Sequence, residues 1–134
     1  MGRAWIAAAL LVAVAACGEA PESGDSAAKA QAALELYRRR PAADTYQNFV
    51  KANAVAADEH GNPHDRVGVE YQVRALEVMA AEAERAHDLR LADDVVDRAG
   101  EIERRDLSSA YEEALRGAKD RLAAARGRAA VLLR

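Results

Sequence analysis

The sequence predicts an all-α protein: a small antiparallel helical bundle of four helices, or five if the third one breaks. Three observations lead there. Hydrophobic residues make up 51% of the chain but aromatic ones only 4%, and the abundant Ala, Leu, Glu and Arg are strong helix formers. Apolar residues recur at alternating spacings of four and three, the pattern of helices that pack along a seam. Prolines occur only at Pro21, Pro41 and Pro63, outside the periodic stretches, and no alternating β-branched run or hairpin turn competes. A length of 134 residues suits one domain. Much of the apolar content is alanine, which buries little area, so the core is smaller than the percentage suggests.

The first helix is expected from an Asp25 or Ser26 cap to about Arg39, with Ala30, Leu34 and Tyr37 as its stripe. Three arginines suit a helix C-terminus and Pro41 cannot continue it. Pro41 instead opens a second helix to about His60, with Tyr46, Phe49, Val50, Asn53 and Ala57 near one face. "HGNP" stops it, with Gly61 suited to a left-handed cap. The third helix follows Asp65. Val69, Val73, Leu76, Ala80, Ala83 and His87 form a seam, whose phase changes near 86–91 before Leu91, Val95, Ala99 and Ile102. One long or kinked helix over 66–105 is the favoured reading; a break with Asp88 as the new cap is the alternative. The last helix starts near Asp106, where Ser109 and Glu112 fit a capping box. Leu107, Tyr111, Leu115, Ala118, Leu122, Ala125, Ala129 and Leu132 make the cleanest seam.

The N-terminus follows a different grammar. Arg3 precedes an uncharged run, Ala4 to Ala16, and small residues then lead to Cys17, the sole cysteine. This is the pattern of a secretory signal, too short for a comfortable membrane span. Val14-Ala15-Ala16-Cys17 resembles the lipobox of bacterial lipoproteins. The resemblance covers residues 1–17 only, and no family is recognised for the rest. It implies that a diacylglyceryl group joins the Cys17 thiol and that a peptidase cuts before that residue. A lone thiol in an oxidising compartment has no disulfide partner, and thioether formation would remove that liability. The expected organisation is a signal peptide over 1–16, a lipidated cysteine and flexible tether over 17–25, and a bundle over 26–134. The expected place is the bacterial cell membrane or outer membrane, on the periplasmic face.

Few residues suggest chemistry. Asp58, His60, His64 and Asp65 cluster in "DEHGNPHD", and such side chains ligate metals. Gly, Asn and Pro between them read more simply as a solvated helix connection. Glu84 and His87 have the Glu-x-x-His spacing of di-iron bundles, but no second copy exists, and His87 reads as a core histidine. Ser108 and Ser109 look like caps, and no nucleophile elbow or phosphate-binding loop occurs. The chain is therefore expected not to be an enzyme and to need no cofactor.

The last helix is the most polarised surface. Arg116, Lys119, Arg121, Arg126 and Arg128 flank its apolar arc, forming a basic face suited to anionic lipid or an acidic envelope protein, or else a rim around a packed seam. The full chain carries a net charge of −3, and losing Arg3 with the signal makes it more negative, so nucleic acid is not an expected partner. The main functional expectation is a lipid-anchored helical lipoprotein with a non-catalytic interaction or accessory role in the cell envelope. A periplasmic metal- or ligand-binding module and an envelope-stress or chaperone-like helical protein are the alternatives.

Overall fold

The computed structural model describes residues 22–105 and 109–134. Within them the chain forms five helices: α1 (Glu22–Arg39), α2 (Ala43–His60), α3 (Arg66–Ala86), α4 (Leu89–Arg104) and α5 (Ser109–Leu132). The bundle is all-α, as the seams require. The signal segment, Cys17, and residues 106–108, where the last helix was expected to start, lie outside the described residues.

Helix α3 organises the fold because it is apolar on two faces. Val69, Val73, Leu76, Ala80 and Ala83 pack with Val95, Ile102, Tyr111 and Leu122 of α4 and α5. Val78 packs with Leu34, Tyr37 and Phe49, and Tyr71 with Ala30 and Ala56, from α1 and α2. The first face is the seam expected from sequence. The second face consists of Tyr71 and Val78 set among charged residues, too few to show as a stripe of their own. Each Leu, Val or Tyr side chain buried here contributes ~1.5–3 kcal/mol, and the alanines allow close helix approach.

Two ladders fix the helix directions. Ser26 bonds His60 at 2.8 Å, and the Tyr37 and Tyr46 rings meet edge to face at 6.3 Å, so α1 and α2 are antiparallel. In contrast, Arg66–Glu113, Arg121–Glu70 and Arg128–Glu84 climb both chains in the same sense. Helices α3 and α5 are therefore parallel neighbours, with α4 returning between them in sequence.

Several boundaries differ from the sequence reading. Helix α1 begins at Glu22, so residues 22–25, expected in the tether, belong to the helix. Helix α2 begins at Ala43 rather than Pro41. The Thr45 hydroxyl accepts from the Ala42 N–H at 3.1 Å and donates to the Arg40 carbonyl at 2.8 Å, which satisfies groups left over at the turn. Val50 is 38% exposed; the buried face of α2 runs through Thr45, Phe49, Asn53 and Ala56 instead. Gly61 has φ −95° and is not left-handed. Its smallness matters instead, since a Cβ there would lie 3.1 Å from the Tyr71 ring.

The largest correction concerns residues 66–105, which are two helices and not one. His87 adopts φ 52°, ψ 46°, and the Asp88 N–H reaches back to the Ala83 carbonyl at 2.9 Å. This is the six-to-one bond of a left-handed helix stop. The Asp88 carboxylate then accepts from the Leu91 N–H at 3.0 Å and starts α4. His87 is accordingly exposed and is not a core histidine. Replacing Asp88 with Ala is expected to cost about 1 kcal/mol, read as a lower urea midpoint at unchanged slope; an unchanged midpoint would remove the cap from this account.

Candidate functional site: a groove over α3

Helices α2 and α4 both pack on α3 but not on each other. A groove therefore runs between them with α3 as its floor. It comprises two adjoining cavities. The one of about 270 Å³ includes Ala57, Gln72, Leu76 and Ile102 in its lining. The one of about 290 Å³ includes Tyr46, Phe49, Val50 and Leu91. Asn53, Ala75, Met79 and Arg98 line both and so form the waist between them.

The waist is chemically asymmetric. From α2, Asn53 donates through Nδ2 to the Tyr71 carbonyl at 3.3 Å. Its residue is only 6% exposed, and its Oδ1 is buried with no hydrogen-bond partner. An acceptor left like this costs about 1–3 kcal/mol of desolvation. From α4, Arg98 is exposed and forms no ion pair among the described residues. Asp94 stands beside it in the second cavity, and Glu101 and Arg105 in the first. Burial pushes the Tyr46 phenol up, Glu82 adds to the rise, and the Arg98 charge opposes it. Of these groove groups, Tyr46, Phe49, Val50, Asn53, Ala57, Leu76, Leu91 and Ile102 were singled out from sequence, and those only as packing; Arg98, Asp94, Glu101 and Met79 were not. An orphaned acceptor depends on which neighbours arrive, and spacing along one helix does not show that.

The residues expected to carry chemistry are placed differently. His60 Nε2 is engaged by the Ser26 hydroxyl. Asp65 is the α3 cap, and its carboxylate accepts from Val67 and Gly68 N–H groups at 3.0 Å each. The His64 N–H donates to the Asn62 side chain at 2.9 Å, and Asp58 is exposed. His60 thus ties α2 to α1 and Asp65 starts α3. Among the described residues no three His, Cys, Asp or Glu side chains gather as a metal-binding group.

The basic face is largely committed within the bundle. Arg121 reaches Glu70 at 2.7 Å and Glu77 at 2.5 Å. Arg126 pairs with Glu103 and Arg128 with Glu84. Hydrogen bonds to Glu77 and Glu70 raise the Arg121 guanidinium above its ordinary range, and the Arg128 bond lowers the Glu84 carboxyl. Glu70, Glu77 and Glu84 lie seven apart on α3, opposite arginines seven apart on α5. Because these pairs are partly exposed, they contribute little stability each; they match the parallel register in which α3 and α5 pack. Arg116 and Lys119 remain exposed without an ion pair among the described residues.

One further polar cluster was not anticipated. Glu82 is 5% exposed and accepts from the Tyr37 hydroxyl at 3.0 Å. Arg85 grips the same carboxylate with bonds of 2.8 and 2.6 Å. Here the arginine bonds hold Glu82 below the usual carboxylate range, against the opposing effect of burial. Burial first, and then the bond to Glu82, drive the Tyr37 phenol upward. The cluster locks α1 to α3 and opens to no cavity described above. Among the described residues no helix is long and apolar enough to cross a membrane. No protein-family model, no curated protein and no solved structure matches this chain.

Proposed function

We propose that this chain is a lipid-anchored bacterial envelope protein, facing the periplasm, whose bundle binds a partner and performs no chemistry. The observation that carries the reading is Cys17, the sole cysteine, placed directly after Val14-Ala15-Ala16 at the end of an apolar run. Two or three acyl chains on one residue hold a small protein firmly at a bilayer. Glu22, where α1 starts, stands five positions after Cys17, a reach of about 17 Å at most. Ser26 is bonded to His60, so the end of the bundle bearing the α2–α3 connection would lie closest to the membrane. The groove would run along the side, accessible from the periplasm.

The binding role draws support from the groove, which combines an apolar floor with uncommitted polar groups. The basic face supports it less, because Arg121, Arg126 and Arg128 already have carboxylate partners. Expressed in a bacterial host with labelled palmitate, the parent chain should take up label and mature to a shorter form. Cys17→Ser should remain unlabelled and at precursor size. Equal labelling of the two chains would overturn the lipoprotein assignment.

A further inference from the structure

We infer that the groove between α2 and α4 is a docking site for an extended peptide, whose backbone is held at the waist and whose apolar side chains fill the two cavities. This deepens the binding role proposed above and rests on it. The argument begins with the orphaned acceptor. Asn53 Oδ1 is buried without a partner, and buried polar groups in native proteins are seldom left so. Its other amide atom is held only by the 3.3 Å bond to Tyr71. Asn53 lines both cavities, so a rotation about Cβ–Cγ that gives up the Tyr71 bond would turn Oδ1 toward the waist. What it lacks is an N–H or O–H donor.

The opposite wall supplies the reverse polarity. Arg98 is a donor with no carboxylate held in an ion pair among the described residues, and it lines the same two cavities as Asn53. A guanidinium offers several N–H groups in a fixed fork and accepts nothing. An acceptor on α2 and a donor on α4 complement a backbone amide, which carries one N–H and one C=O. On each side of the waist the lining turns apolar: Leu76 and Ile102 in one cavity, Phe49 and Leu91 in the other. In an extended strand, side chains two apart share a face, so residues i and i+2 of a peptide can occupy the two cavities.

Other ligand classes fit less well. A fatty acid would satisfy Arg98 and the apolar floor but offers no donor to Asn53. A polyanion would meet Asp94 and Glu101 on the same rim. A neutral, apolar stretch of peptide meets neither objection.

The probe is acetyl-photoleucine-alanine-photoleucine-amide, applied to bacterial membranes that carry the full chain. After irradiation, labelled residues are mapped by mass spectrometry. Labelling is expected at the groove floor, around Ala75 and Met79, and to be competed away by acetyl-Leu-Ala-Leu-amide. Arg98→Ala removes an exposed side chain and leaves the core intact. It should weaken labelling about tenfold, as loss of a charged hydrogen bond implies. The same probe methylated on the alanine nitrogen, which has no N–H at the waist, should weaken similarly with the unaltered protein. Labelling that maps elsewhere, or that neither change affects, would overturn the proposal. So would competition by decanoate as effective as competition by the peptide, which would make this a fatty-acid site. Palmitate uptake at Cys17 does not depend on the groove, so failure here and failure of the lipoprotein assignment give separate results.

Discussion

Gly68→Ala is expected to be the most damaging single-methyl change in the bundle, costing about 3 kcal/mol or more. A Cβ at this position would stand 1.9 Å from the Asn62 carbonyl oxygen and 2.9 Å from the Pro63 Cα. Both are backbone atoms, so no side chain can swing aside. The same Asn62 oxygen accepts from the Asp65 N–H at 3.1 Å, and Asp65 caps α3 through the Gly68 N–H itself. Pushing the connection away would therefore strain the turn and the cap together. Gly117→Ala is the matched control, because nothing lies within 4 Å of its would-be Cβ. There alanine should stabilise α5 by about 0.5–1 kcal/mol. Thermal unfolding should show a fall of at least about 10 °C for the first variant and a small rise for the second. Equal shifts would mean that the connection does not press on Gly68.

The second large effect is expected at Glu82. Glu82→Ala leaves the buried Tyr37 hydroxyl without its acceptor and frees Arg85. Arg85 is exposed enough to turn to water, so the main loss is the stranded hydroxyl, about 2 kcal/mol. Glu82→Gln keeps an acceptor for Tyr37 and loses only the charge on Arg85, so it should cost about half as much. The pH dependence follows from the same atoms. Glu82 titrates lower in the folded chain than its ordinary value of 4.5, so the unfolded chain binds its proton first on acidification. That contribution is complete above pH 4.5 and is lost as pH falls through the depressed folded value. Tyr37 titrates above its ordinary 10.0, so its contribution is complete below that pH and is lost in stronger alkali. Urea midpoints measured between neutral pH and pH 3 should fall less steeply for Glu82→Gln than for the parent. Parallel curves would show that the α1–α3 lock does not depend on the Glu82 charge.

Much of the helical pattern was legible in the chain because it is a local property. Val69, Val73, Leu76, Ala80 and Ala83 announced one face of α3, and Tyr111 through Ala129 announced α5. The 86–91 region shows where that logic stops. The phase change and Asp88 were both visible, yet a single kinked helix fits the same letters. What settles the matter is His87 in a left-handed conformation, a choice that becomes favourable once the Asp88 N–H finds Ala83 and α4 can fold back onto α3. Glu82 was illegible for a related reason. A glutamate in a helix reads as solvated until Tyr37, 45 positions away, covers it. The basic residues of α5 were all visible, but their partners on α3 and α4 were not.

The sequence by itself determined the helical class, the main seams, the start of α3 after Asp65 and the place of the sole cysteine after Val14-Ala15-Ala16. Each depends on residues within a few positions of one another, where periodicity and backbone geometry act directly. Tertiary structure alone decided that α3 is buried on two sides, that α3 and α5 run parallel, that Arg121, Arg126 and Arg128 face glutamates, and that Asn53 and Arg98 line one groove. Those outcomes depend on which helix faces arrive together. That choice is made by the summed burial of many small side chains, and no single stretch of this alanine-rich chain encodes it.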